Sequence, residues 1–410
     1  MKRRTEAALK RSLQTAPPLS LYVHFPWCVR KCPYCDFNSH EFGETFPEAD
    51  YINALIRDLD ANLDRIKGRE VISIFMGGGT PSLFSAEELS RLLSVINAGV
   101  VLSKDAEITL EANPGTAEAD RFHGYRRAGI NRLSIGVQSL DDEKLKALGR
   151  IHGAREAEYA VSLARQAGFD NLNIDIMYGL PGQDAAAALK DIAGAVALRP
   201  EHLSWYQLTI EPNTVFYKHT PVLPDDEETW NMQQQGRAML EAHGYSQYEI
   251  SAWARAGREA RHNLNYWEFG DYLGIGAGAH SKLTDAASGD IVRSARHKLP
   301  GRYLELAGGR EVVTSERMLD EGDRILEFMM NALRLPQGFP AGLFEDRTGL
   351  ALEAIRDRLD EAVAKDLLDA GNDRIRPTAR GAQFLNNLLE LFQTGNVEED
   401  RTPFPQDTAV

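Results

Sequence analysis

The chain has 410 residues, a formal net charge of −14 and 43% hydrophobic residues. These values indicate a globular protein with a sizeable core, and the excess of acidic side chains argues against nonspecific binding to nucleic acid. No stretch reaches the roughly eighteen apolar residues that span a bilayer, and no apolar run follows the basic start as a secretory signal requires. We expect a cytoplasmic protein without a transmembrane segment.

Short apolar runs alternate with helical stretches through the first half of the chain. The predicted strands are 21–25, 71–76, 107–113, 132–139, 171–178 and 202–211, and the predicted helices lie near 48–67, 86–98, 116–129, 142–168 and 184–198. Such alternation is typical of βα units around a parallel sheet, but six units are fewer than the eight of a closed barrel. We predict an α/β fold with an open, partial (β/α)6 barrel, and a doubly wound sheet is the alternative.

The rest of the chain is less regular. We predict an N-terminal tail over 1–18, a barrel core over 19–215, a connecting region over 216–300, a mostly helical, winged-helix-like domain over 301–393 and a disordered tail over 394–410. Within the C-terminal domain, residues 350–359 and 361–370 indicate helices. Residues 320–393 carry fourteen acidic and nine basic side chains, so we expect no nucleic-acid partner and a scaffold or protein-contact role instead.

All three cysteines lie within eight positions, as Cys28-x3-Cys32-x2-Cys35. Thiolates are soft ligands for iron–sulfur clusters and for zinc. Three ligands on a cubane of four irons would leave one iron open, much as catalytic zinc sites keep one position free. We therefore expect a cluster that does chemistry. Zinc with His40 as a fourth ligand is the alternative, whereas an odd number of thiols disfavours a disulfide framework.

Polar residues follow or interrupt the predicted strands. In barrels of βα units, functional groups collect at the carboxyl ends of the strands, so these residues should converge beside the cysteine loop. They are Gly77-Gly78-Gly79-Thr80 after the second strand, Glu111 and Asn113 on the third, Gln138 on the fourth, Asp175 on the fifth, and Tyr206 and Gln207 on the sixth.

The cysteine loop resembles the signature of the radical S-adenosylmethionine (SAM) superfamily. The blocks Tyr22-Val-His-Phe-Pro-Trp-Cys, Phe75-Met-Gly-Gly-Gly-Thr-Pro-Ser, Gly136-Val-Gln-Ser, Asp175-Ile-Met-Tyr-Gly-Leu-Pro-Gly and Tyr206-Gln-Leu-Thr-Ile-Glu-Pro-Asn-Thr resemble the oxygen-independent coproporphyrinogen III oxidase family, especially its HemW-type heme chaperone subgroup. The resemblance runs from about residue 19 to residue 392. It implies a [4Fe-4S] cluster whose open iron is chelated by SAM, which reductive cleavage converts to methionine and a 5′-deoxyadenosyl radical.

The resemblance also implies roles for individual residues. Cys28, Cys32 and Cys35 would ligate the cluster, Tyr22 and Tyr34 would contact SAM beside it, and Gly78, Gly79 and Thr80 would receive the methionine end of SAM. The remainder of SAM would meet Glu111, Gln138, Arg150 and Asp175. Their chemistry is suitable, because Glu111 can pair with an ammonium group, Arg150 with a carboxylate and Asp175 with ribose hydroxyls.

One departure from the family pattern separates two functions. The decarboxylating members carry a further cysteine two positions after the third, where this chain has Phe37. The segment before the first strand is also short, whereas a longer one helps to form the substrate site in decarboxylases. Both departures fit the heme chaperone subgroup. Coproporphyrinogen III oxidation remains the alternative, followed by a radical SAM enzyme with another substrate and by a zinc-binding regulator.

The segment His262-Asn263-Leu-Asn-Tyr266-Trp267 resembles the HNxxYW motif of that subgroup. Histidine is a common axial ligand of heme, and Tyr266 and Trp267 would wall the macrocycle. We name His262 as the candidate heme ligand, with His280 as the second candidate and a structural role for His262 as the alternative. The expected partners are heme and apo-hemoproteins, including respiratory enzymes at the membrane. The oligomeric state is left open, a homodimer included.

Overall fold

A computed structural model describes residues 15–393 apart from 44–45, 117–118, 286 and 372. The predicted tail over 394–410 and most of the tail over 1–18 lie outside these residues. In chain order the strands are β1 (Leu19–Phe25), β2 (Trp27–Cys28), β3 (His40–Glu41), β4 (Glu70–Gly78), β5 (Val101–Ala112), β6 (Arg132–Gln138), β7 (Leu172–Tyr178), β8 (His202–Gln207), β9 (Ser246–Gln247), β10 (Ala252–Ala254), β11 (Asp271–Ile275), β12 (His280–Thr284), β13 (Ile291–Arg296), β14 (Val313–Met318), β15 (Phe339–Pro340), β16 (Leu368–Ala370) and β17 (Arg374–Pro377).

The strands are joined by α-helices and a few single turns of 3₁₀-helix. The helices are α1 (Glu48–Asp60), α2 (Ala86–Gly99), α3 (Ala119–Arg127), α4 (Asp142–Ala147), α5 (Ala154–Gln166), α6 (Ala185–Ala197), α7 (Val215–Lys218), α8 (Asp226–Ala242), α9 (Arg261–Trp267), α10 (Pro300–Leu306), α11 (Glu321–Ala332), α12 (Ala341–Thr348), α13 (Arg356–Ala364), α14 (Ala379–Gln383) and α15 (Leu385–Glu390). The 3₁₀ turns are Leu63–Ile66, Pro81–Leu83, Pro114–Thr116, Arg310–Val312 and Leu352–Ile355.

Strands β1, β4, β5, β6, β7 and β8 are neighbours in this order and pair in parallel, with a helix between each consecutive pair. This arrangement confirms the predicted partial (β/α)6 barrel. The barrel stays open because β8 pairs with β10 on one side and β1 pairs with β11 on the other. Helices cover the outside of the sheet, so the strands are buried almost continuously, as in β1 and β7.

Residues 216–300, predicted as a connecting region, contribute strands to both edges of this sheet. One edge continues with β10 and β9, and the other continues with β11, β12 and β13. Strand β14, which lies after residue 300 in the segment predicted as the C-terminal domain, follows β13 and gives twelve strands in all. Two of these strands, β9 and β10, are only two or three residues long, too short to show a clear period in the sequence.

The C-terminal domain has its own hydrophobic core, in which Phe328, Phe339 and Phe344 pack edge to face. Phe269 belongs to the same cluster, so the domain packs against the segment that follows α9. A three-stranded sheet with the order β15-β17-β16 completes it. The predicted helix over 361–370 is wrong at its end, because Leu368–Ala370 pair with β17 as strand β16. Tertiary pairing overrides the local helical pattern there.

The interior of the barrel contains polar side chains. Side chains alternate along a strand, so every second residue faces inward, as for Glu107, Thr109 and Glu111 on β5. We use two names below. The mouth is the end formed by the carboxyl ends of the parallel strands, and the floor is the opposite end, where α9 contacts β1, β4 and β11.

Candidate functional site

A cavity of about 370 Å³ opens at the mouth of the barrel. Eleven of the thirteen residues that the sequence nominated line its wall, whereas Tyr22 and His262 do not. The eleven are Cys28, Cys32, Tyr34, Cys35, Gly78, Gly79, Thr80, Glu111, Gln138, Arg150 and Asp175. Parallel strands therefore bring together residues more than a hundred positions apart, as the strand-end pattern predicted.

The cysteine loop is held in place by backbone and side-chain amide hydrogen bonds that do not involve its thiols. Cys35 N–H donates to the carbonyl of Cys32 at 3.1 Å, which closes a tight turn between the two thiols. The Asn38 side-chain amide donates to the carbonyls of Ala277 and Lys298, both at 2.9 Å. These anchors fix the loop and leave its three sulfurs at the cavity.

The three thiols suit an iron–sulfur cluster better than a single zinc ion. All three are free and half-buried, and burial raises the pKa of Cys28 to about 11, so a bound metal is needed to hold the thiolate form. Over the described ranges, no three Cys, His, Asp or Glu side chains are grouped closely enough to hold one metal ion. His40 Nε2 instead lies 3.2 Å from the Asn38 side-chain oxygen. A cubane needs no such grouping, because each thiolate binds a separate iron.

The glycine run at the end of β4 is required by packing against the cysteine loop. A Cβ on Gly79 would lie 2.5 Å from the Trp27 carbonyl oxygen, and a Cβ on Gly78, whose φ is +114°, would meet the His24 ring at 2.4 Å. Two backbone N–H groups of this run already make hydrogen bonds. That of Gly79 donates to the Phe25 carbonyl at 2.6 Å, and that of Thr80 donates to the Trp27 carbonyl at 2.8 Å. A ligand here would therefore meet acceptor groups, which suit an ammonium ion.

Two half-buried carboxyl groups, Glu111 and Asp175, line the cavity as neighbours. Burial, and then the charge of Asp175, raise the pKa of Glu111 to about 7. Burial also raises the pKa of Asp175, although Asn173 Nδ2 donates to it at 2.7 Å and Ser134 Oγ at 3.3 Å. Glu111 accepts the Gly78 N–H at 2.9 Å. The pair is thus prepared to receive a cationic or hydroxyl-bearing ligand.

Arg150 connects the cysteine loop to the strand ends. Its Nη1 donates to Cys32 Sγ at 3.4 Å, and its Nη2 donates to Asn113 Oδ1 at 3.0 Å and to the Gly136 carbonyl at 2.8 Å. Its Nε is buried and has no hydrogen-bond partner among the described residues. Arg150 therefore holds a fixed positive charge beside the thiols and keeps one donor for a ligand.

Gln138 and Tyr34 complete this wall. Gln138 has a φ of +70°, a strained conformation for a residue other than glycine, and its Oε1 accepts the Tyr206 hydroxyl at 2.8 Å. Tyr34 follows Cys32 in the cysteine loop, and burial raises the pKa of its phenol. Strained residues of this kind persist where surrounding contacts hold them, often at binding sites.

His262 and Tyr22 lie together in the barrel interior, below the cavity. The His262 ring stacks on Phe75 at 4.7 Å between centroids and on Tyr22 at 6.2 Å. Burial, and then the charge of Arg132, lower the pKa of His262 to about 3, so the ring is neutral. Its Nδ1 is buried without a partner in the described structure. Cofactor contacts by these two residues stay predictions. His280, at the start of β12, does not line the cavity either.

The HNxxYW motif is divided between a hydrogen-bond network in the floor and the wall of the cavity. Asn263 Nδ2 donates to the Tyr248 hydroxyl at 3.1 Å, and that hydroxyl lies 2.7 Å from His202 Nε2. The other nitrogen of His202 lies 2.6 Å from Asn173 Oδ1. At the far end of the same helix, Trp267 lines the cavity.

The cavity also contains a residue that sequence reasoning missed. Arg334 follows helix α11 of the C-terminal domain, and its Cζ lies 4.9 Å from the centroid of the Trp267 ring. No motif contains this arginine, and 67 positions separate it from Trp267. Only the packing of the C-terminal domain against the end of α9 brings the two together, so the sequence held no signal for it.

The fold and the cavity define a radical SAM protein, and comparisons with known proteins agree. The radical SAM superfamily profile matches residues 22–192, and the profile of the HemN C-terminal domain matches residues 319–384. The solved structure of coproporphyrinogen III oxidase (HemN) from Escherichia coli, a radical SAM enzyme, is similar with a TM-score of 0.78 and 25% identity over 92% of this chain and 91% of that chain. The superfamily implies a [4Fe-4S] cluster and SAM as cofactors.

Relatives with a higher sequence identity to this chain identify the family within the radical SAM proteins. Heme chaperone HemW of Escherichia coli is 52% identical over 92% of this chain and 98% of the relative, and that of Bacillus subtilis is 36% identical over 86% and 92%. The mitochondrial radical S-adenosyl methionine domain-containing protein 1 of Bos taurus is 39% identical over 68% of this chain and 63% of the relative. The chain belongs to the HemW family.

Among the helices in the described part of the chain, none is both long and apolar enough to span a membrane.

Proposed function

We propose that this protein is a heme chaperone that holds a [4Fe-4S] cluster and SAM at the mouth of the barrel and delivers heme to apo-hemoproteins. The observation that carries the proposal is a complete thiol and SAM-type cavity in a chain that is 52% identical to Escherichia coli heme chaperone HemW over 98% of that relative. Three free thiols also favour a reducing compartment, such as the cytoplasm.

Different residues of the cavity are suited to the cluster and to SAM. Cys28, Cys32 and Cys35 would hold the cluster, which supplies an open iron site and an electron when bound. Arg150, with its free Nε, is suited to the carboxylate of SAM, and Glu111 to its ammonium group. Asp175 and Gln138 are suited to the ribose and the rest of SAM, with Tyr34 beside the cluster.

The alternative function, oxidative decarboxylation of coproporphyrinogen III, has weaker support. The structural similarity to HemN is accompanied by 25% identity, less than half of the identity to HemW. Phe37 lines the cavity at the position where the resemblance places a further cysteine in decarboxylases. An apolar ring there cannot donate a proton or ligate iron, so one group expected in a decarboxylase site is missing.

His262 is our candidate axial ligand for the heme, and its position sets a condition on this role. Burial keeps the imidazole neutral, which is the form that ligates iron. The ring is enclosed by Phe75 and Tyr22, however, so α9 must withdraw from the floor before iron can reach it. A His262→Ala variant that binds hemin as tightly as wild type, with an unchanged Soret band, would remove this residue as the ligand.

The test of the proposed function uses the full chain, reconstituted with its cluster under anaerobic conditions. Protein loaded with hemin is mixed with an apo-hemoprotein, first a respiratory enzyme subunit in membrane vesicles, and the acceptor is separated and assayed for heme. We expect transfer that depends on the chaperone and exceeds transfer from free hemin at the same concentration. A protein that binds hemin but never delivers it would contradict the chaperone function.

The same preparation discriminates between the two functions. Incubation with coproporphyrinogen III, SAM and a strong reductant should give no protoporphyrinogen above background, while the cluster still responds to SAM. Substrate-dependent protoporphyrinogen would make this protein a decarboxylase despite Phe37. Sedimentation of the loaded protein alone would show whether it acts as a homodimer.

A further inference from the structure

One part of the cavity wall comes from outside the six parallel strands. Trp267 ends helix α9 and Arg334 follows helix α11, so this part joins the barrel to the C-terminal domain. The guanidinium carbon of Arg334 lies 4.9 Å from the centroid of the indole ring, in cation–π contact. Neither residue is needed to explain how the cluster or SAM is held.

Arg334 is a half-buried cation whose side chain has no hydrogen-bond partner in the part of the chain that the structure describes. Toward the described residues its guanidinium makes no hydrogen bond and no ion pair. The Trp267 ring lies against it, and the Glu249 carboxyl and the Tyr266 phenol are more distant. Glu249 is fully buried and already accepts the Ser251 N–H at 3.0 Å. A guanidinium carries five donors, so most of the binding capacity of Arg334 is unused.

Trp267 adds a second unused donor beside it. The side chain is 4% exposed, and its Nε1 is buried with no acceptor in the described part of the chain. Buried donors without a partner are rare in native proteins, and each needs an explanation. An acceptor that enters the cavity would satisfy the indole N–H and the guanidinium together.

The cationic side chains of the cavity wall indicate which chemical group a ligand would present to Arg334. Its other cations are Arg30, which is exposed, and Arg150, which is bonded to Cys32, Asn113 and Gly136. Arg334 is therefore the sheltered cation that lacks an anionic partner at close range. A planar guanidinium next to an N–H donor matches a carboxylate, which can accept from both.

We propose that Arg334 and Trp267 form a carboxylate site that binds a propionate of the heme at the junction of the barrel and the C-terminal domain. The inference rests on the proposed function and deepens it, because it assigns one propionate of the porphyrin a place in the cavity wall. SAM also carries a carboxylate, for which Arg150 is the nearer candidate, so the experiment separates the two sources.

The experiment is an anaerobic absorbance titration of cluster-reconstituted full chain with hemin and with hemin dimethyl ester, in which both propionates are uncharged. Wild type is compared with Arg334→Gln, Arg334→Lys and Trp267→Phe. The control is Arg356→Gln, which makes the same charge change at an exposed position of the same domain. SAM binding to each variant is measured in parallel, and thermal unfolding verifies that each variant folds.

We expect Arg334→Gln to weaken hemin binding about tenfold to a hundredfold, the range for a charge-assisted hydrogen bond in a sheltered site. Arg334→Lys should lose less, Trp267→Phe should lose a few-fold, and Arg356→Gln should bind as wild type does. The ester should bind wild type about as weakly as hemin binds Arg334→Gln, and the variant should show no further loss. SAM affinity should be unchanged.

The outcomes separate this inference from the function on which it rests. Equal hemin affinity for wild type and Arg334→Gln would overturn the carboxylate site and leave the chaperone function standing. The same would follow if the variant lost hemin and the ester equally, or lost SAM in place of hemin. Hemin that does not bind wild type at all would overturn the proposed function and the inference together.

Discussion

Buried polar groups are hydrogen-bonded differently in the floor of the barrel and in the cavity that opens at its mouth. In the floor, the Tyr248 hydroxyl alone serves His202, Asn263 and the N–H of Ala260, at 2.7, 3.1 and 3.4 Å. In the wall of the cavity that opens at the mouth, Arg150 Nε and Trp267 Nε1 are buried donors without partners among the described residues. A satisfied network stabilises a fold, whereas unsatisfied donors cost free energy unless a ligand binds them.

The floor also contains buried polar atoms without hydrogen bonds to described residues, and two of them are compensated in another way. Arg132 Nε lacks a hydrogen bond but lies 4.0 Å from a carboxylate oxygen of Glu107. His262 Nδ1 lacks one too, but the ring is neutral and stacks on Phe75. The comparison thus assigns stability to the floor and binding to the mouth, and variants at each end should separate the two properties.

The largest effect should come from the thiols. Replacing Cys32 by Ser removes one of three cluster ligands and the sulfur that accepts from Arg150. We expect iron and sulfide content after anaerobic reconstitution to fall at least about tenfold, because the remaining two thiolates cannot hold a cubane securely. Ser39→Ala, which changes a hydroxyl 3.6 Å from Cys35 Sγ, is the control and should retain the cluster. Full loading of the Cys32 variant would contradict the ligand assignment.

The next effect tests whether the glycine edge acts through the cysteine loop. A methyl group at position 79 would sit 2.5 Å from the Trp27 carbonyl oxygen, so the loop must shift in Gly79→Ala. We expect cluster loading to fall several-fold and the free energy of unfolding to fall by about 2 kcal/mol, as for overpacked sites. Gly43→Ala is the matched control, since nothing lies within 4 Å of its added carbon. Unchanged loading in Gly79→Ala would mean that the loop is held elsewhere.

The floor should respond in stability alone. Tyr248→Phe leaves His202 Nε2, Asn263 Nδ2 and the Ala260 N–H without their shared partner. We expect a loss of about 2 kcal/mol in the free energy of urea unfolding, while cluster loading and SAM binding stay at wild-type levels. Tyr159→Phe removes a hydroxyl from a side chain that is 62% exposed and should change stability by less than about 0.5 kcal/mol. A Tyr248 variant that is stable but fails to bind SAM would undo the division between floor and mouth.

Much of the barrel could be read from the sequence because its signals are local. Each parallel strand is a continuous apolar run, and in parallel sheets the strand ends meet at one edge. For this reason Glu111, Gln138 and Asp175 could be placed at one cavity before the fold was known. The cysteine loop was still easier, since its three ligands are neighbours in sequence.

The motif in α9 shows a limit of prediction from the sequence. His262 and Trp267 are five residues apart on a helix, which turns them by about 140° from each other. His262 therefore packs against Phe75 while Trp267 lines the cavity, and treating the motif as a single heme wall overlooked this geometry. Arg334 was beyond prediction, because its approach to Trp267 depends on how a separate domain packs. Contacts of this kind are set by tertiary structure and leave no local pattern.

The last effect concerns the pH dependence of stability at the mouth. Burial and Asp175 raise the pKa of Glu111 from 4.5 to about 7, so between these values the folded state binds more protons than the unfolded state. The contribution of Glu111 to the free energy of unfolding must therefore fall by about 1 to 3 kcal/mol as pH rises from 4.5 to 7, and it levels off above pH 7.

Urea unfolding from pH 5 to pH 8 should show a shallower decline in Glu111→Gln than in wild type or in Glu143→Gln, which changes an exposed carboxyl. Saturating SAM should remove the same part of the decline from wild type, because a cation beside Glu111 favours its ionised form. Parallel curves for wild type and Glu111→Gln would show that this carboxyl ionises freely, and the contrast between the mouth and the floor would then rest on the arginine and the indole alone.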